Sequence, residues 1–263
     1  VKRAPSPRRS VDGLGRSIVL PRRIDRIVTL APNLTEIVYA VGAGGKIAGT
    51  DDASNFPEPA RQLPKVGAMQ PNVEKIALLK PDLVIASTEG NHPSLEPALK
   101  AAGIPLFVVK TDRVFEIATS MRTLGRILQA KDAEAAAAAL ERSMEGERRV
   151  RANNPRVLFA VWTDPLYVAG RDTFTDDLLR LTGAQNAVQV RGWPQYSLEA
   201  LVQTPPDLIL YPRGAITPEQ MEAFIKRVPG VRARVVAVDE DIFQRPGPRM
   251  AEAAKALNAI LDE

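Results

Sequence analysis

The chain has 263 residues, enough for two modest domains, and its 45% hydrophobic and 25% charged residues are the balance of an ordinary globular protein. It has no cysteine, which excludes disulfides, thiolate metal sites, iron–sulfur clusters and cysteine nucleophiles, and its one histidine, His92, excludes a multi-histidine zinc or manganese centre. The net charge of +4 is accounted for by Lys2, Arg3, Arg8 and Arg9, so the rest of the chain is neutral and offers no basic face to a nucleic acid.

The opening VKRAPSPRRS reads as a disordered leader, either a tether from a membrane surface or a frayed end. No secretory signal pattern opens it, which suggests a mature or trimmed chain. No run approaches the roughly 18 apolar residues that cross a bilayer. After an edge segment to residue 23, Arg26–Leu30 (RIVTL) reads as a strand, Leu34–Val41 as a helix stopped by Gly42, Gly44 and Gly45, and Lys46–Thr50 as a second strand. Asn72–Lys80 has helical spacing, Pro81-Asp82 breaks it, and Leu83–Ala86 is a buried strand. Leu95–Ala102 is helical, Gly103 stops it, and Leu106–Val109 is a strand.

From Val114 nearly forty residues carry almost no breaker, and Ala133–Arg151 has the Ala, Glu and Arg content of one long helix, ended by Asn153-Asn154-Pro155. At 1.5 Å per residue such a helix spans roughly 30 Å. Alternation then resumes: Arg156–Val161 strand, Phe174–Thr182 and Leu198–Gln203 helices, Leu208–Tyr211 strand, Pro218–Val228 helix, Val235–Val238 strand, and a closing helix over Met250–Leu261. The expected organisation is a leader and edge segment (1–23), an N-terminal lobe (24–112), a helical region with the linking helix (113–153) and a C-terminal lobe (154–263). Each lobe is α/β, with a central, mainly parallel sheet flanked by helices, and one long helix joins the two.

An internal repeat supports two related lobes. Asn72-Val-Glu74-Lys-Ile76 leads to Pro81-Asp82-Leu83-Val84-Ile85, and Ser197-Leu-Glu199-Ala-Leu201 leads to Pro206-Asp207-Leu208-Ile209-Leu210 at one constant interval. The bland explanation is chance recurrence of a common helix–Pro-Asp–strand junction. Two similar lobes on one strut imply a ligand cleft at their interface.

The succession RIVTLAPNLTEIVYAVGA, PNVEKIALLKPDLVIAS, a long helix, PQYSLEALVQTPPDLIL and FQRPGPRMAEAAKALNAIL resembles the helical-backbone class of periplasmic binding proteins, which serves cobalamin, siderophore and haem importers. The resemblance runs from about Ser10 to the C-terminus. Its closest likeness is to the vitamin B12 binding proteins, carried by Arg191–Ser197 and Asp241–Arg249. It implies a monomeric, non-enzymatic substrate-binding component of an ABC importer. Its location would be the periplasm or the extracytoplasmic face of the membrane, free or lipid-anchored. The ligand would be cobalamin or a related corrinoid, with haem or a ferric siderophore as alternatives, and no resident cofactor or metal.

Trp162, Tyr167, Trp193, Tyr196 and Phe243 fall near strand ends or in the loops after them, the edge where open α/β sheets bind ligands. Their rings suit the broad apolar face of a corrin or porphyrin, but the same rings can also close a core. Asp241 and Arg245 lie in a loop resembling the cobalamin-contacting loop; they offer hydrogen bonds to corrinoid amides, or pair with each other. In the first lobe Pro32, Asn33, Ala53, Met69 and Ser87 occupy the matching loops. Ala53, Met69 and Ser87 stand where cobalamin binders often place tryptophan or tyrosine, and Met69 offers an adaptable thioether. His92, on a rim loop, reads as a solvated polar residue rather than a ligand of haem iron or cobalt; Tyr167 and Tyr196 are the better haem-ligand candidates.

Glu74 and Glu199 each stand two residues after a plausible N-cap, where an acid complements the helix dipole. In the resembled family one acid on each lobe docks on permease arginines, so the pair is also expected to meet the ABC permease. No Gly-x-Ser-x-Gly, P-loop or Gly-x-Gly-x-x-Gly pattern appears, and Gly42-Ala-Gly44-Gly45 ends a helix rather than opening one, so neither these hydrolase patterns nor a phosphate loop supports an enzyme. An enzyme on the same two-lobed scaffold, such as a metal-cluster protein or chelatase, and a scaffold or adhesin on the same fold are the remaining alternatives. A metal-cluster protein would want cysteines, which are absent, and a chelatase would want a His–Glu pair in the cleft, for which only His92 is available.

Overall fold

The computed structural model describes residues 8–68, 70–88 and 92–263, the side chains of His92 and Pro93 excepted. The chain divides into two compact units, Val1–Thr111 with Phe115–Ala139, and Asp112–Val114 with Leu140–Glu263.

In the first unit a hairpin of β1 (Arg8–Val11) and β2 (Ser17–Leu20) is followed by β3 (Ile27–Thr29), α1 (Pro32–Ala40), β4 (Ile47–Thr50), α2 (Val73–Leu78), β5 (Leu83–Ser87), α3 (His92–Ala101) and β6 (Leu106–Val109). The helix α4 (Val114–Leu128) closes the unit, and α5 (Ala133–Gly146) begins in it and ends in the second. The sheet order is β4-β3-β5-β6, every pair parallel. Its strands read as unbroken apolar runs because helices cover both faces: Leu83, Val84 and Ile85 are all fully buried. Pro32 opens α1 at the first helical position, where its missing N–H costs nothing. In α4 the buried residues Ile117, Met121, Leu124 and Leu128 recur at helical spacing and turn one stripe to the core.

The second unit contains β7 (Arg156–Thr163), β8 (Leu166–Val168), α6 (Phe174–Leu181), β9 (Gln185–Asn186), α7 (Leu198–Gln203), β10 (Leu208–Arg213), α8 (Pro218–Lys226), β11 (Arg234–Asp239), α9 (Glu240–Phe243) and α10 (Met250–Asp262). Strands β11, β10 and β7 are parallel in that order. The far edge of β7 is shared by β9, parallel at its start, and β8, antiparallel at its end. Side-chain caps start the helices: Thr173 on α6, Ser197 on α7, and a reciprocal Thr217–Gln220 capping box on α8.

Two expectations are corrected. Arg8–Ser10 of the expected leader are ordered, because Arg8–Val11 pairs with β2 and the Arg8 guanidinium donates to the carbonyls of Arg126 (3.1 Å) and Ile127 (3.2 Å) near the C-terminal end of α4. A cation there meets carbonyls that have no partner within the helix. The helix expected over Ala133–Arg151 stops at Gly146, about 21 Å after it starts at 1.5 Å per residue. Beyond it, tertiary partners claim the backbone: the Arg149 N–H donates to Leu181 O (2.9 Å), and the Asn258 amide donates to Glu147 O (2.8 Å).

Candidate functional site

Parallel strands bring all their C-terminal ends to one edge of a sheet. In the first unit Pro32 and Asn33 follow β3, Ala53 follows β4 and Ser87 ends β5. Pro32 and Ser87 are half-buried, Ala53 is exposed, and Asn33 is buried with its amide donating to Thr111 Oγ1 at 3.1 Å, just past the end of β6. Met69, the remaining residue expected here, lies outside the described residues. So does the His92 side chain; its backbone opens α3 rather than a loop.

Beneath this edge lies a polar chain that sequence reading did not find. Thr29 Oγ1 meets Thr35 Oγ1 (2.6 Å), Thr35 meets Ser54 Oγ (2.8 Å), and the Ser54 hydroxyl donates to the Asp51 carboxylate. Asp51 also accepts the Ala53 N–H (2.9 Å), and Lys65 Nζ donates to Thr50 Oγ1 and Ser54 O. Burial pushes the Lys65 ammonium below the ordinary lysine value, while the Asp51 and Asp52 carboxylates pull it back up. The network pins the loop carrying Ala53, so this edge is a pre-formed surface of small polar and aliphatic groups. Small hydroxyl residues scattered over the sequence gave no periodic signal that could have marked it.

In the second unit Trp162 and Tyr167 are cross-strand partners of β7 and β8, and Tyr167 bridges to Gln195. Both rings stand on the solvent face, 44% and 39% exposed, while Thr163, Leu166 and Val168 turn inward. The indole N–H of Trp162 donates to Asp164 O (3.0 Å), which fixes the ring's orientation. The segment Val190–Tyr196 lies alongside as a third strand-like strip: the Gly170 N–H donates to Gly192 O (2.8 Å), and the Tyr196 N–H donates to Leu166 O (2.8 Å). A side chain at 170 would strike the carbonyl of Val190, and Gly192 turns the strip at a φ of 73°. Trp193, beside that turn, is half-buried on Phe174 with ring centroids 5.3 Å apart, and Tyr196 packs partly into the core. The structure therefore brings Trp162, Tyr167 and the Trp193–Tyr196 strip together, with Gln195 as the member the sequence did not single out.

The loop after β11 comes out differently. Phe243 is 2% exposed and stacks on Phe159 with centroids 6.3 Å apart, so its ring is core rather than rim, because α9 turns it back under the sheet edge. Asp241 and Arg245 form an ion pair with Nη2 and Oδ1 at 2.5 Å, one helical turn apart. A second cluster holds the neighbouring loop: Arg113 grips Asp177 through Nε (2.8 Å) and Nη2 (2.5 Å), and Asp172 bridges Arg113 (3.4 Å) and Arg191 (2.9 Å).

The repeat is also a repeat of hydrogen bonds. Asn72 caps α2 and Ser197 caps α7, accepting the N–H three residues on at 2.9 and 3.0 Å. Ile76 and Leu201 are fully buried at matching positions, and Glu74 and Glu199 are both exposed. Asp82 then accepts the Arg26 N–H (2.9 Å), and Asp207 accepts the Arg156 N–H (2.7 Å), each tying the returning chain to the first strand of its own sheet. Such agreement in cap, core residue and return contact is more than a chance helix–strand junction requires.

Among the described residues no cluster of three or more His, Cys, Asp or Glu is arranged to hold a metal ion, and no helix is long and apolar enough to cross a membrane.

A family model described as a periplasmic binding protein matches residues 27–241. The ABC transporter substrate-binding lipoprotein YvrC of Bacillus subtilis is 32% identical over 94% of this chain and 82% of its own length. A vitamin B12-binding protein of Yersinia pseudotuberculosis is 31% identical over 96% of this chain and 92% of its own. Among solved structures, the periplasmic heme-binding protein RhuT of Roseiflexus sp. RS-1 superposes with a TM-score of 0.78 at 26% identity, covering 90% of this chain and 97% of that one. The chain, whose two mainly parallel sheets and capped repeat fall within the matched span, belongs to the periplasmic binding protein family.

Proposed function

We propose that this chain is the extracytoplasmic substrate-binding component of an ABC importer, that it carries cobalamin or a related corrinoid, and that it works by binding and release without turnover. The observation that carries the ligand class is the exposed Trp162–Tyr167 pair on the antiparallel β7–β8 hairpin with the Trp193–Tyr196 strip beside it, at the C-terminal end of β7, the end of the strands where open α/β sheets bind ligands. A rigid apolar shelf of this kind suits a large flat macrocycle, and aromatic rings cover such a face at small entropy cost. The exposed amide of Gln195, beside the aromatic pair, suits the amide arms of a corrinoid. The Yersinia relative supports the same reading.

Trp162, Tyr167, Trp193 and Tyr196, with the Asp241–Arg245 pair, are proposed contacts on the second unit. Pro32, Asn33, Ala53, Met69 and Ser87 are proposed contacts on the first. Glu74 and Glu199, exposed at corresponding helix starts, are proposed to meet basic residues of the permease.

Haem is the second reading. It is favoured by the likeness to RhuT and by the exposed phenol of Tyr167, which has the chemistry of an iron ligand. Calorimetric and absorbance titration with cobalamin, cobinamide, haemin and a ferric siderophore separates the readings. Saturable one-to-one cobalamin binding is expected. A shifted Soret band that is lost in Tyr167→Phe would replace the corrinoid with haem, and silence across the panel would remove both.

A further inference from the structure

Away from the aromatic shelf, the second unit contains a polar cavity of about 350 Å³. It is bounded by α6, the start of β9 and the turn before β7, and its walls include Arg171, Arg180, Asp176, Asn154 and Gln185. Its volume is at the low end for ligand pockets, far too small for a corrin and suited to a small molecule.

The charges do not cancel. Asp176 is 1% exposed, and its carboxylate is already satisfied by Arg180 Nη2 (3.1 Å), the Asn186 amide (3.2 Å) and the Asp172 N–H (3.3 Å). Asp172, the acid next in sequence to Arg171, is committed to Arg113 and Arg191. Arg171 is thus left exposed, with no side-chain partner among the described residues, although its own N–H is anchored to Val190 O at 2.8 Å. The side-chain amides of Asn154 and Gln185 are likewise unpaired among the described residues. One uncompensated guanidinium, a second that is half exposed and two free amides therefore converge on one cavity.

We propose that this cavity binds a small multi-oxygen anion, a phosphate or phosphate monoester. Arg171 would supply the guanidinium fork, Arg180, whose charge is paired with Asp176, would add a further N–H donor, and Asn154 and Gln185 would donate amide N–H groups. Guanidinium matches phosphate oxygens in two parallel hydrogen bonds, and free amide donors complete the shell. The proposal is independent of the transported ligand, since none of the aromatic shelf lines the cavity.

The source of the phosphate group is either free phosphate or a lipid headgroup, and the test separates them. Inorganic phosphate is titrated calorimetrically into the full chain at about 0.15 M sodium chloride, which screens loose surface attraction. In parallel, the chain is mixed with zwitterionic vesicles with or without phosphatidic acid, and co-sedimentation is measured. Arg171→Gln is carried through both arms, because Arg171 supports no other side chain and the variant should fold normally. Saturable phosphate binding that weakens roughly tenfold or more in the variant supports the site with a free anion. Vesicle binding that requires phosphatidic acid and is lost in the variant supports it with a lipid headgroup. Equal binding by both proteins, or none in either arm, overturns the proposal.

Discussion

If Trp162 meets the ligand, replacing it with alanine should cost affinity over and above what it costs the ligand-free protein. The ring is 44% exposed. Of the roughly 250 Å² that a tryptophan can bury, about 110 Å² therefore remains for a ligand to cover, worth about 2.7 kcal/mol at ~25 cal/mol/Å². Binding recovers only part of such a sum, because ligand and side chains lose freedom. The expected loss is about 1–2 kcal/mol, roughly 5- to 30-fold in Kd. The unliganded fold should lose stability as well, because the covered part of the ring, about 140 Å² on the same reckoning, is worth up to about 3 kcal/mol to the apo protein. Calorimetry against cobalamin gives the first quantity and thermal unfolding of the apo protein the second. An unchanged Kd for the folded variant would refute the reasoning.

Trp193→Ala should lower the apo melting temperature more than Trp162→Ala does, because its indole is the more deeply buried of the two and packs on Phe174; a purely ligand-side effect would show that the packing contact is not energetic. Glu74→Arg combined with Glu199→Arg should abolish uptake in cells and leave ligand binding intact, and retained uptake would remove the docking role. Asp12 provides a pH test. Burial alone would raise its carboxyl, but hydrogen bonds from the Arg16 side chain and backbone and from the Leu14 N–H hold it below the ordinary carboxylate range. A group whose folded value is depressed stabilises the protein above its unfolded value and loses that contribution as pH falls through the folded one, here below about pH 4. Asp12→Asn should therefore destabilise by about 2 kcal/mol at neutral pH, and the gap from wild type should close in acid; a pH-independent gap in urea unfolding would contradict the assignment.

The strand edges show how far sequence reaches. Apolar runs such as Leu83–Val84–Ile85 and Leu208–Ile209–Leu210 mark parallel strands by themselves, because burial on both faces leaves little room for polar residues. Once the strands of each sheet are placed, the residues after them must share that sheet's edge, so Pro32 and Ala53 in one unit and Trp162 in the other were legible as positions near strand ends. The repeat was legible too, because cap, acid and return aspartate recur in local order. Phe243 was not: a residue after a strand can face out or turn under the edge, and only the approach of Phe159 decides between them. The Arg113–Asp177 grip was equally hidden, since its members are 64 residues apart in sequence and ion pairs leave no periodicity.

Local patterning alone, through apolar periodicity and helix caps, determined that this chain is built from alternating strands and helices in two repeated halves. It could not determine where Ala133–Arg151 stops being helical, because Gly146 permits an ending while Leu181 and Asn258, far away in the chain, claim the backbone beyond it. Nor could it order Arg8, whose partners are carbonyls of a helix more than a hundred residues later. Propensity acts between neighbours, whereas these outcomes depend on hydrogen-bonding groups that become neighbours only after the sheets have packed.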